Sequence, residues 1–244
     1  MSVFASIHLG KCAGAAFANL LIDRVSRQMP VFLFYGGAHP MTGIWRDGSR
    51  EPIKNGNSLK EVCAPFVKRA QEGESFLMQS HLMANEYLEF LPRDSKFFTW
   101  LREPLQRICS HYYYWKNNRR APRLSPEAKP LFDRVVAGDC SLAEFGSHPL
   151  IAEYYSAMLA PLGLDGLALA LLVEHPTNSF MQLSQLLGVE MPSEMRVANV
   201  TQSKPTKVYE LTQAEESQLR GCNSSDMELY HRAVARLLRP SHTA

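Results

Sequence analysis

The stretch VFASIHLGKCAGAAFANLLIDRVSR, residues 3–27, decides how the rest of the chain is interpreted. It begins with VFASI (Val3–Ile7), a short apolar run that is typical of a buried strand. From Ala15 onward, apolar residues fall on one stripe of a predicted helix: Phe17, Leu20, Leu21 and Val25. Between these two elements lies HLGKCAG (residues 8–14). The stretch therefore predicts a strand, a tight glycine loop and an amphipathic helix in succession.

The loop in this stretch has the features of an anion site. Free amides at the start of a helix point outward, and the helix dipole favours negative charge there. Gly10 and Gly14 remove side chains where a phosphate must approach closely, and Lys11 adds a positive charge. The spacing GxxxxGK[ST] of a phosphate-binding loop is absent. The loop by itself therefore leaves open that Lys11 is a solvated surface group.

Strands and helices alternate along the rest of the sequence. Four further strands are predicted: Val31–Tyr35, Phe76–Gln79, Lys96–Leu101 and one within Leu167–His175. The tail SSDMELYHRAVARLL is predicted to be an amphipathic helix with Ser225 or Asp226 near its cap. This alternation predicts an α/β fold with a central, mainly parallel sheet flanked by helices, in a single domain over residues 1–244.

Two segments before the third strand are predicted from local signals. Residues 36–57 contain many glycines and prolines and are predicted to be a loop. SLKE (Ser58–Glu61) has the pattern of a capping box, in which the serine hydroxyl and the glutamate carboxylate satisfy amides at a helix start. A helix is therefore predicted from there to about Glu72.

Composition narrows the functional classes. The chain has 244 residues, 45% of them hydrophobic and 20% charged, which is typical of a globular protein. A net charge of +2 gives no reason to expect nucleic acid as a partner. The five cysteines are scattered without a CxxC pair, so reduced thiols and no metal site are expected. No leader and no apolar run of about 18 residues is evident, so we expect a cytoplasmic protein without a membrane span.

A second stretch, FFTWLREPLQRICSHYYYW (residues 97–115), gives the opening lysine a context. Arg102 lies at the exit of a predicted strand, and Ser110 lies two turns into the helix that follows. Ligands of parallel sheets bind where the strands end. Arg102 can bind a phosphate through two parallel hydrogen bonds, and Ser110 can donate its hydroxyl. Two anion sites at two strand ends predict a ligand with two separated phosphates.

These two stretches carry a family resemblance. HLGKCAG resembles the 5′-phosphosulfate loop of carbohydrate-type sulfotransferases, commonly HIPKTAGTS, the class to which heparan sulfate 2-O-sulfotransferases belong. WLREPLQRICSHYYYW resembles their 3′-phosphate motif, VLRDPVxRxxSxYY. The resemblance also covers SHLMANEYLEFLP, and weaker likeness continues through LLVEHPTNSFMQLSQLLG and LTQAEESQLRGCNSSDMELYHRAV. The resemblance implies a P-loop-like sulfotransferase fold and the cofactor 3′-phosphoadenosine 5′-phosphosulfate (PAPS), with adenosine 3′,5′-bisphosphate (PAP) as product.

The resemblance also implies roles for individual residues. The implied cofactor-binding residues are Gly10, Lys11, Cys12, Ala13, Gly14, Ala15, Ala16, Arg102 and Ser110. Lys11 would stabilise the leaving group, and Arg102 with Ser110 would anchor the 3′-phosphate and select PAPS over ATP. His81 would be the base that deprotonates the acceptor, although a histidine there can also simply cap a helix. His111 is the next candidate for the base, and His8 is expected to shape the loop entrance.

The sequence departs from the family pattern in places. Ala15 and Ala16 replace a threonine and a serine, so two hydroxyl donors to the 5′-phosphate are missing. Gly10 replaces a proline. The Asn–Gln–Arg element of many relatives is not evident around Ile151–Leu159. These departures put the strength of cofactor binding in doubt.

The acceptor is the least determined part of the prediction. A basic cluster, KNNRRAPR (residues 116–123), suits an anionic glycan or the acidic carrier protein of a tethered hydroxyacyl chain, but it also suits a helix C-terminus or solubility. The tyrosines Tyr112–Tyr114 are expected to pack the helix rather than to form an acceptor platform. The adenine is expected near Asn199–Lys204.

Two other functions remain open. A small-molecule kinase would need a hydroxyl after Lys11 and an Asp at a strand end to hold Mg²⁺, whereas Cys12 follows Lys11. A degenerate protein that binds PAPS without turnover gains weight from Ala15 and Ala16.

Overall fold

A computed structural model of the chain describes residues 2–34, 41–44, 46, 48–53, 64, 67–68, 72–117, 124–193 and 208–239. Its strands are β1 (Val3–Ile7), β2 (Val31–Phe34), β3 (Met41–Ile44), β4 (Arg50–Ile53), β5 (Phe76–Ser80), β6 (Lys96–Leu101) and β7 (Leu169–Leu172). Its helices are α1 (Gly14–Asp23), α2 (Ala84–Phe90), α3 (Pro104–Asn117), α4 (Lys129–Ala137), α5 (Leu142–Ser147), α6 (Tyr154–Leu159), α7 (Pro176–Leu187), α8 (Gln213–Cys222) and α9 (Ser224–Leu237), with a short 3₁₀ turn at Val25–Arg27.

The strands form one sheet in the order β4-β3-β2-β5-β1-β6-β7. The pairs β2–β5, β5–β1, β1–β6 and β6–β7 are parallel. The pairs β2–β3 and β3–β4 are antiparallel. In the register of β1 with its neighbours, Ile7 lies opposite both Ser80 and Thr99. The predicted α/β fold with a central, mainly parallel sheet and a P-loop-like strand, loop and helix is confirmed.

The prediction that residues 36–57 form a loop is wrong for β3 and β4, which form a hairpin at one edge of the sheet. In this hairpin Thr42 pairs with Pro52. A proline is tolerated on an edge strand because one side of that strand needs no hydrogen-bond donors. Gly and Pro therefore mark a hairpin edge here rather than an irregular loop. The predicted capping box at Ser58–Glu61 lies outside the described residues.

Aromatic side chains hold helices to both faces of the sheet. On one face, Phe17 of α1 packs against Trp100 of β6 with ring centroids 5.7 Å apart, and Phe180 of α7 contacts the same indole at 5.3 Å. On the other face, Tyr87 of α2 packs edge-on against Phe97 at 6.1 Å. These contacts make β6 the central support of the core, directly before Arg102.

A second apolar cluster surrounds α3. Trp115 packs against Phe132 of α4 at 5.5 Å and against Phe145 of α5 at 5.3 Å. Tyr112 is also buried, and its hydroxyl donates to the Cys140 carbonyl at 2.9 Å. The prediction that this part of the tyrosine run packs the helix is confirmed for Tyr112.

The C-terminal helix is amphipathic, as predicted, and buries Met227, Tyr230, Ala233 and Leu237. It begins at Ser224, with Asn223 as the N-cap residue, so Ser225 and Asp226 lie in its first turn, near the cap as predicted. Among the described cysteines, Cys12, Cys109, Cys140 and Cys222 are free thiols. Within the described residues, every helix is too short or too polar to cross a bilayer.

Candidate active site

Three parallel strands bring the predicted site residues to one edge of the sheet. β1 lies between β5 and β6. The strands β1 and β5 end level with each other, and β6 continues two residues further, to Leu101. Their last residues lead directly into the Lys11 loop, His81 and Arg102. The two predicted anion sites therefore follow the ends of two neighbouring strands.

The loop after β1 is tightly wound. Lys11 and Ala13 both adopt left-handed backbone conformations, with φ of 69° and 61°. Such a conformation costs a residue other than glycine about 1 kcal/mol or more, and it persists only where the surroundings impose it. The Gly10 amide donates to the Tyr154 hydroxyl at 3.3 Å, and the Cys12 amide donates to the Leu9 carbonyl at 3.3 Å. These bonds fix the loop immediately before α1.

The N-terminus of α1 has features that suit an anion. Its N-cap residue, Ala13, has no side-chain oxygen to cap the helix, and the first turn contains no acidic residue. Ala15 is exposed and Ala16 is half-buried, so both positions of the missing hydroxyls lie at or near the surface. The amides of this turn are the donors that a phosphate would use.

Lys11 projects toward α3. Its Nζ lies 3.8 Å from the centroid of the Tyr114 ring, a cation–π contact. Burial, and then the charge of Arg102, lower the pKa of Lys11 to about 8. Unlike Tyr112, Tyr114 is exposed and therefore does not only pack the helix. The tyrosine run thus divides into a buried part and a part that faces the site.

Arg102 follows β6 directly, and its side chain is half-buried. Its backbone is held by Tyr155, whose hydroxyl donates to the Arg102 carbonyl at 2.7 Å and accepts from the Arg102 amide at 3.2 Å. Ser110 is half-buried in the second turn of α3. The roles of Arg102 and Ser110 toward a phosphate stay predictions.

Tyr154 and Tyr155 are the site residues that the sequence did not reveal. Besides holding Arg102, the Tyr155 hydroxyl lies 3.3 Å from the Cys12 thiol. The two tyrosines therefore attach α6 to the Lys11 loop and to the start of α3 at once. They lie in the segment Ile151–Leu159, in which the Asn–Gln–Arg element of relatives is not evident. The adjacent aromatic pair was the only available signal, and it resembles ordinary core packing.

A buried arginine supports this pair of tyrosines. Arg107 is only 1% exposed and donates to the Ile151 carbonyl at 2.8 Å. Its guanidinium lies 4.8 Å from the ring centroid of Tyr154 and 5.6 Å from that of Tyr155. The aromatic faces partly compensate the free-energy cost of removing the charged guanidinium from water. Arg107 therefore stabilises the pair Tyr154 and Tyr155 rather than facing a ligand.

Helices α6 and α9 cap each other. Asp226 accepts hydrogen bonds from the Tyr155 and Ser156 amides, both at 2.9 Å, at the start of α6. Glu153 in turn accepts from the Ser225 and Asp226 amides, at 3.1 Å and 3.0 Å, at the start of α9. Each carboxylate satisfies helix amides that would otherwise lack partners.

Glu103, the acidic residue beside Arg102, accepts a hydrogen bond at the start of α3. Glu103 accepts a hydrogen bond from the Gln106 amide at 2.8 Å, while its own amide donates to Glu174 at 3.0 Å. Of the two roles considered for Glu103, orienting Arg102 or favouring the helix start, the contacts support the second.

His81 and His8 form a stacked pair at the entrance of the loop. Their ring centroids are 4.0 Å apart with an interplanar angle of 25°. The Nδ1 atom of His81 lies 3.0 Å from the backbone carbonyl of His8. Desolvation lowers the pKa of His81, while the hydrogen bond to the His8 carbonyl partly opposes this change. The lowered pKa favours the neutral form of the His81 imidazole.

The other candidate base, His111, is half-buried and packs against aromatic residues of the second cluster. The ring of His111 contacts Trp115 at 4.7 Å and Phe145 at 5.4 Å. Burial lowers its pKa to about 3. His111 thus packs α3 against its neighbours, which agrees with the lower priority given to it as a candidate base.

Two segments with predicted roles lie wholly or partly outside the described residues. The segment Asn199–Lys204, where the adenine was expected, lies outside the described residues. The same applies to residues 118–123 of the basic cluster, of which only Lys116 and Asn117 are described, at the end of α3.

Comparison with known proteins gives similarities of shape only. No protein-family model and no curated protein matches the chain. Among solved structures, mouse sulfotransferase SULT7A1 complexed with PAP aligns with 15% identity and a TM-score of 0.38 over 93% of this chain, which spans 64% of that protein. A sulfotransferase from Alicyclobacillus acidocaldarius aligns with 14% identity and a TM-score of 0.46, over 96% of both chains. A function for this chain must therefore be argued from its own residues.

Proposed function

We propose that this chain is a PAPS-dependent sulfotransferase of the carbohydrate type, formed as a single domain. The observation that carries the proposal is that two adjacent parallel strands, β1 and β6, lead into the Lys11 loop and into Arg102 respectively. Each cation comes from a sequence motif that resembles a phosphate-binding motif of such enzymes. Two cationic sites at one sheet edge suit a nucleotide that carries a phosphate at each of two positions.

The donors at this edge fit PAPS. The first turn of α1, over Ala13, Gly14, Ala15 and Ala16, offers amides to a 5′-phosphate, and it contains no acidic residue that would repel the phosphate. Lys11 lies beside this turn. Arg102 and Ser110 offer a guanidinium and a hydroxyl for the 3′-phosphate. Gly10 and Cys12 contribute the shape of the loop, since their amides are already bonded within the protein.

Lys11 is the group that we assign to the leaving phosphate. PAPS, when bound, supplies the sulfuryl group and a bisphosphate that leaves with added negative charge. With a pKa of about 8, Lys11 is mostly protonated at pH 7. A fixed cation beside the departing oxygen stabilises that charge more in the transition state than in the ground state. The half-buried position of Lys11 strengthens this effect because water screens it less.

His81 is the group that we assign to the acceptor. Its carbonyl partner on His8 can only accept a hydrogen bond, so Nδ1 carries the proton of the neutral ring. Nε2 is then unprotonated and can accept a proton from a hydroxyl. A base at this position removes the acceptor proton as the oxygen attacks the sulfur.

The acceptor that we propose is a hydroxyl on a glycan or on an acyl chain tethered to a carrier protein. Lys116, at the C-terminal end of α3, is exposed and carries the described part of the basic cluster. Positive charge there would attract an anionic acceptor surface. A cytoplasmic location belongs to the same proposal, and the free thiols are compatible with a reducing compartment.

Two alternatives are compared by the same experiment. A kinase would bind ATP with Mg²⁺ more tightly than PAP. A degenerate binding protein would bind PAP but transfer nothing. Calorimetric titration with PAP, and separately with ATP and Mg²⁺, tests the two-phosphate site without knowledge of the acceptor. We expect PAP to bind and ATP to bind at least tenfold more weakly, since a charged hydrogen bond contributes about 1.5–3 kcal/mol. A preference for ATP with Mg²⁺ would overturn the proposal.

Turnover is tested separately with sulfur-labelled PAPS. The panel of acceptors should contain desulfated and sulfated glycans and carrier-protein-bound hydroxyacyl chains. Transfer of label to one class identifies the acceptor. Tight PAP binding without transfer to any member would favour the degenerate binder.

A further inference from the structure

His8 lies between the residue that we propose as the base and the start of α1. Its ring stacks on that of His81 with centroids 4.0 Å apart, and its backbone carbonyl is 3.0 Å from Nδ1 of His81. The His8 amide also donates to the Ser80 carbonyl at 2.7 Å, so the backbone of His8 is fixed to the end of β5. One residue therefore contacts His81 through both its backbone and its side chain.

The position of the His8 ring depends on Gly14. A Cβ atom added at Gly14 would lie 1.5 Å from Nε2 of His8 and 2.0 Å from its Cε1. No side chain can occupy that space unless the ring moves. The glycine therefore serves a second purpose besides the approach of an anion, because it leaves room for the imidazole of His8 against the helix start.

These contacts select one form of His81. A backbone carbonyl has no proton to donate, so the bond to His8 requires the proton on Nδ1 of His81. The stacked ring prevents the imidazole of His81 from turning away from this carbonyl. Nε2 is thereby kept as the acceptor atom.

We propose that His8 is a positioning residue for His81, which holds it in the Nδ1-protonated tautomer by stacking on one face while its carbonyl binds Nδ1. This inference rests on the proposed function of His81 as the base. Its first test needs neither nucleotide nor acceptor, because the tautomer of a histidine is visible in the ligand-free protein.

The test uses the full chain with ¹⁵N-labelled histidine. Long-range ¹H–¹⁵N spectra distinguish an Nδ1-protonated ring from an Nε2-protonated one, and loss of signals in His81→Gln assigns them to His81. We expect the wild type to show mainly the Nδ1-protonated tautomer at pH 7.5. His8→Ala should give a mixture of both tautomers, whereas His8→Phe, which keeps a flat ring, should retain the wild-type pattern.

Gly14→Ala provides an independent variant, because it displaces the His8 ring while the imidazole is still present. It should give the same mixture of tautomers as His8→Ala. Gly221→Ala in α8 is the matched control, since a Cβ there meets nothing within 4 Å, and its spectrum should equal the wild-type spectrum. An unchanged Nδ1-protonated tautomer in folded His8→Ala or in folded Gly14→Ala would overturn the inference.

Kinetics then separate positioning from binding. In His8→Ala, kcat should fall on the order of 10-fold to 100-fold, while KM for PAPS should change less than about threefold. His8→Phe should recover most of the kcat. An equal rise in KM would assign His8 to cofactor binding instead. If no variant or wild type transfers sulfate, the proposed function fails, yet the spectra still decide whether His8 sets the tautomer.

Discussion

The hydroxyl of Tyr155 donates a 2.7 Å hydrogen bond to the backbone carbonyl of Arg102. The same oxygen accepts from the Arg102 amide and contacts the Cys12 thiol at 3.3 Å. One buried side chain on α6 therefore sets how the loop after β1 lies relative to the start of α3. The contact therefore links the two segments that carry the predicted anion sites.

Replacing Tyr155 by Phe should destabilise the protein by about 1–3 kcal/mol, because two backbone groups of Arg102 lose their buried partner. The affinity for PAP should fall as well, since Lys11 and Arg102 are no longer held at a fixed separation. Urea unfolding measures the first effect and calorimetry the second. Tyr154→Phe is the matched control: it loses only the 3.3 Å bond to the Gly10 amide and should cost about 0.5–1.5 kcal/mol. Equal losses of stability and of PAP affinity in the two variants would refute the idea that Tyr155 fixes the separation of Lys11 and Arg102.

Arg102→Ala should weaken PAP binding by about 10-fold to 100-fold, the range expected for a lost charged hydrogen bond. Binding of ATP, which has no 3′-phosphate, should change little. Titration of both nucleotides against the variant checks this expectation. The control is Arg232→Ala, an exposed arginine on α9 that pairs with Asp165 away from the strand edge. If ATP and PAP lost affinity equally in Arg102→Ala, Arg102 would not bind the 3′-phosphate.

The affinity for PAP should fall as the pH rises through about 8. Burial and Arg102 lower the pKa of Lys11 to about 8, so above that pH the free protein carries a neutral amine there. A bound phosphate favours the protonated form, so binding takes up a proton, and affinity should fall by up to about tenfold per pH unit above the pKa. Calorimetry at pH 8.5 in buffers of different ionisation enthalpy measures this uptake. Lys11→Arg stays charged and should show a flat profile over the same range; a slope as steep as that of the wild type would assign the proton to another group.

His81→Ala should bind PAP as the wild type does but lose about 10²-fold to 10⁴-fold in kcat, the range for removal of a general base. Calorimetry and transfer of labelled sulfate measure the two quantities on the same preparation. His231→Ala, at an exposed position of α9, is the control and should leave both unchanged. Turnover close to that of the wild type in His81→Ala would remove His81 from the mechanism.

Asp226→Ala should lower the free energy of unfolding by about 1–3 kcal/mol, because the Tyr155 and Ser156 amides lose their buried acceptor. Urea denaturation checks this value. Asp165→Ala removes an exposed carboxylate that pairs with Arg232, and it should cost about 0–1 kcal/mol. A similar small loss in both variants would show that the capping by Asp226 adds no stability.

The central strands were predictable because a buried parallel strand is apolar on both faces. Leu169–Leu172 is entirely apolar and Val3–Ile7 is apolar except for the buried Ser6, and both segments form strands in the sheet. The hairpin of β3 and β4 was not predictable from the same signal. Its strands contain Gly43 and Pro52 and depend on backbone pairing at an edge, where the apolar pattern is weak.

The parts of the site that the sequence revealed are those with local motifs. Lys11 lies in a glycine loop, and Arg102 lies between a strand and a helix. Tyr155 and Asp226 have no such signature, because their roles come from partners that are distant in the chain. Tyr155 bonds to Arg102 across 53 positions and to Asp226 across 71. Such contacts become apparent only when the fold brings the segments together.

The mutual capping of α6 and α9 has a consequence for biosynthesis. Residues 3–14 leave the ribosome before α9 does, yet the tyrosines that fix this loop depend on Asp226, which is translated more than two hundred positions later. In the nascent chain, the loop of residues 8–14 therefore lacks its native supports until α9 has emerged from the exit tunnel and docked.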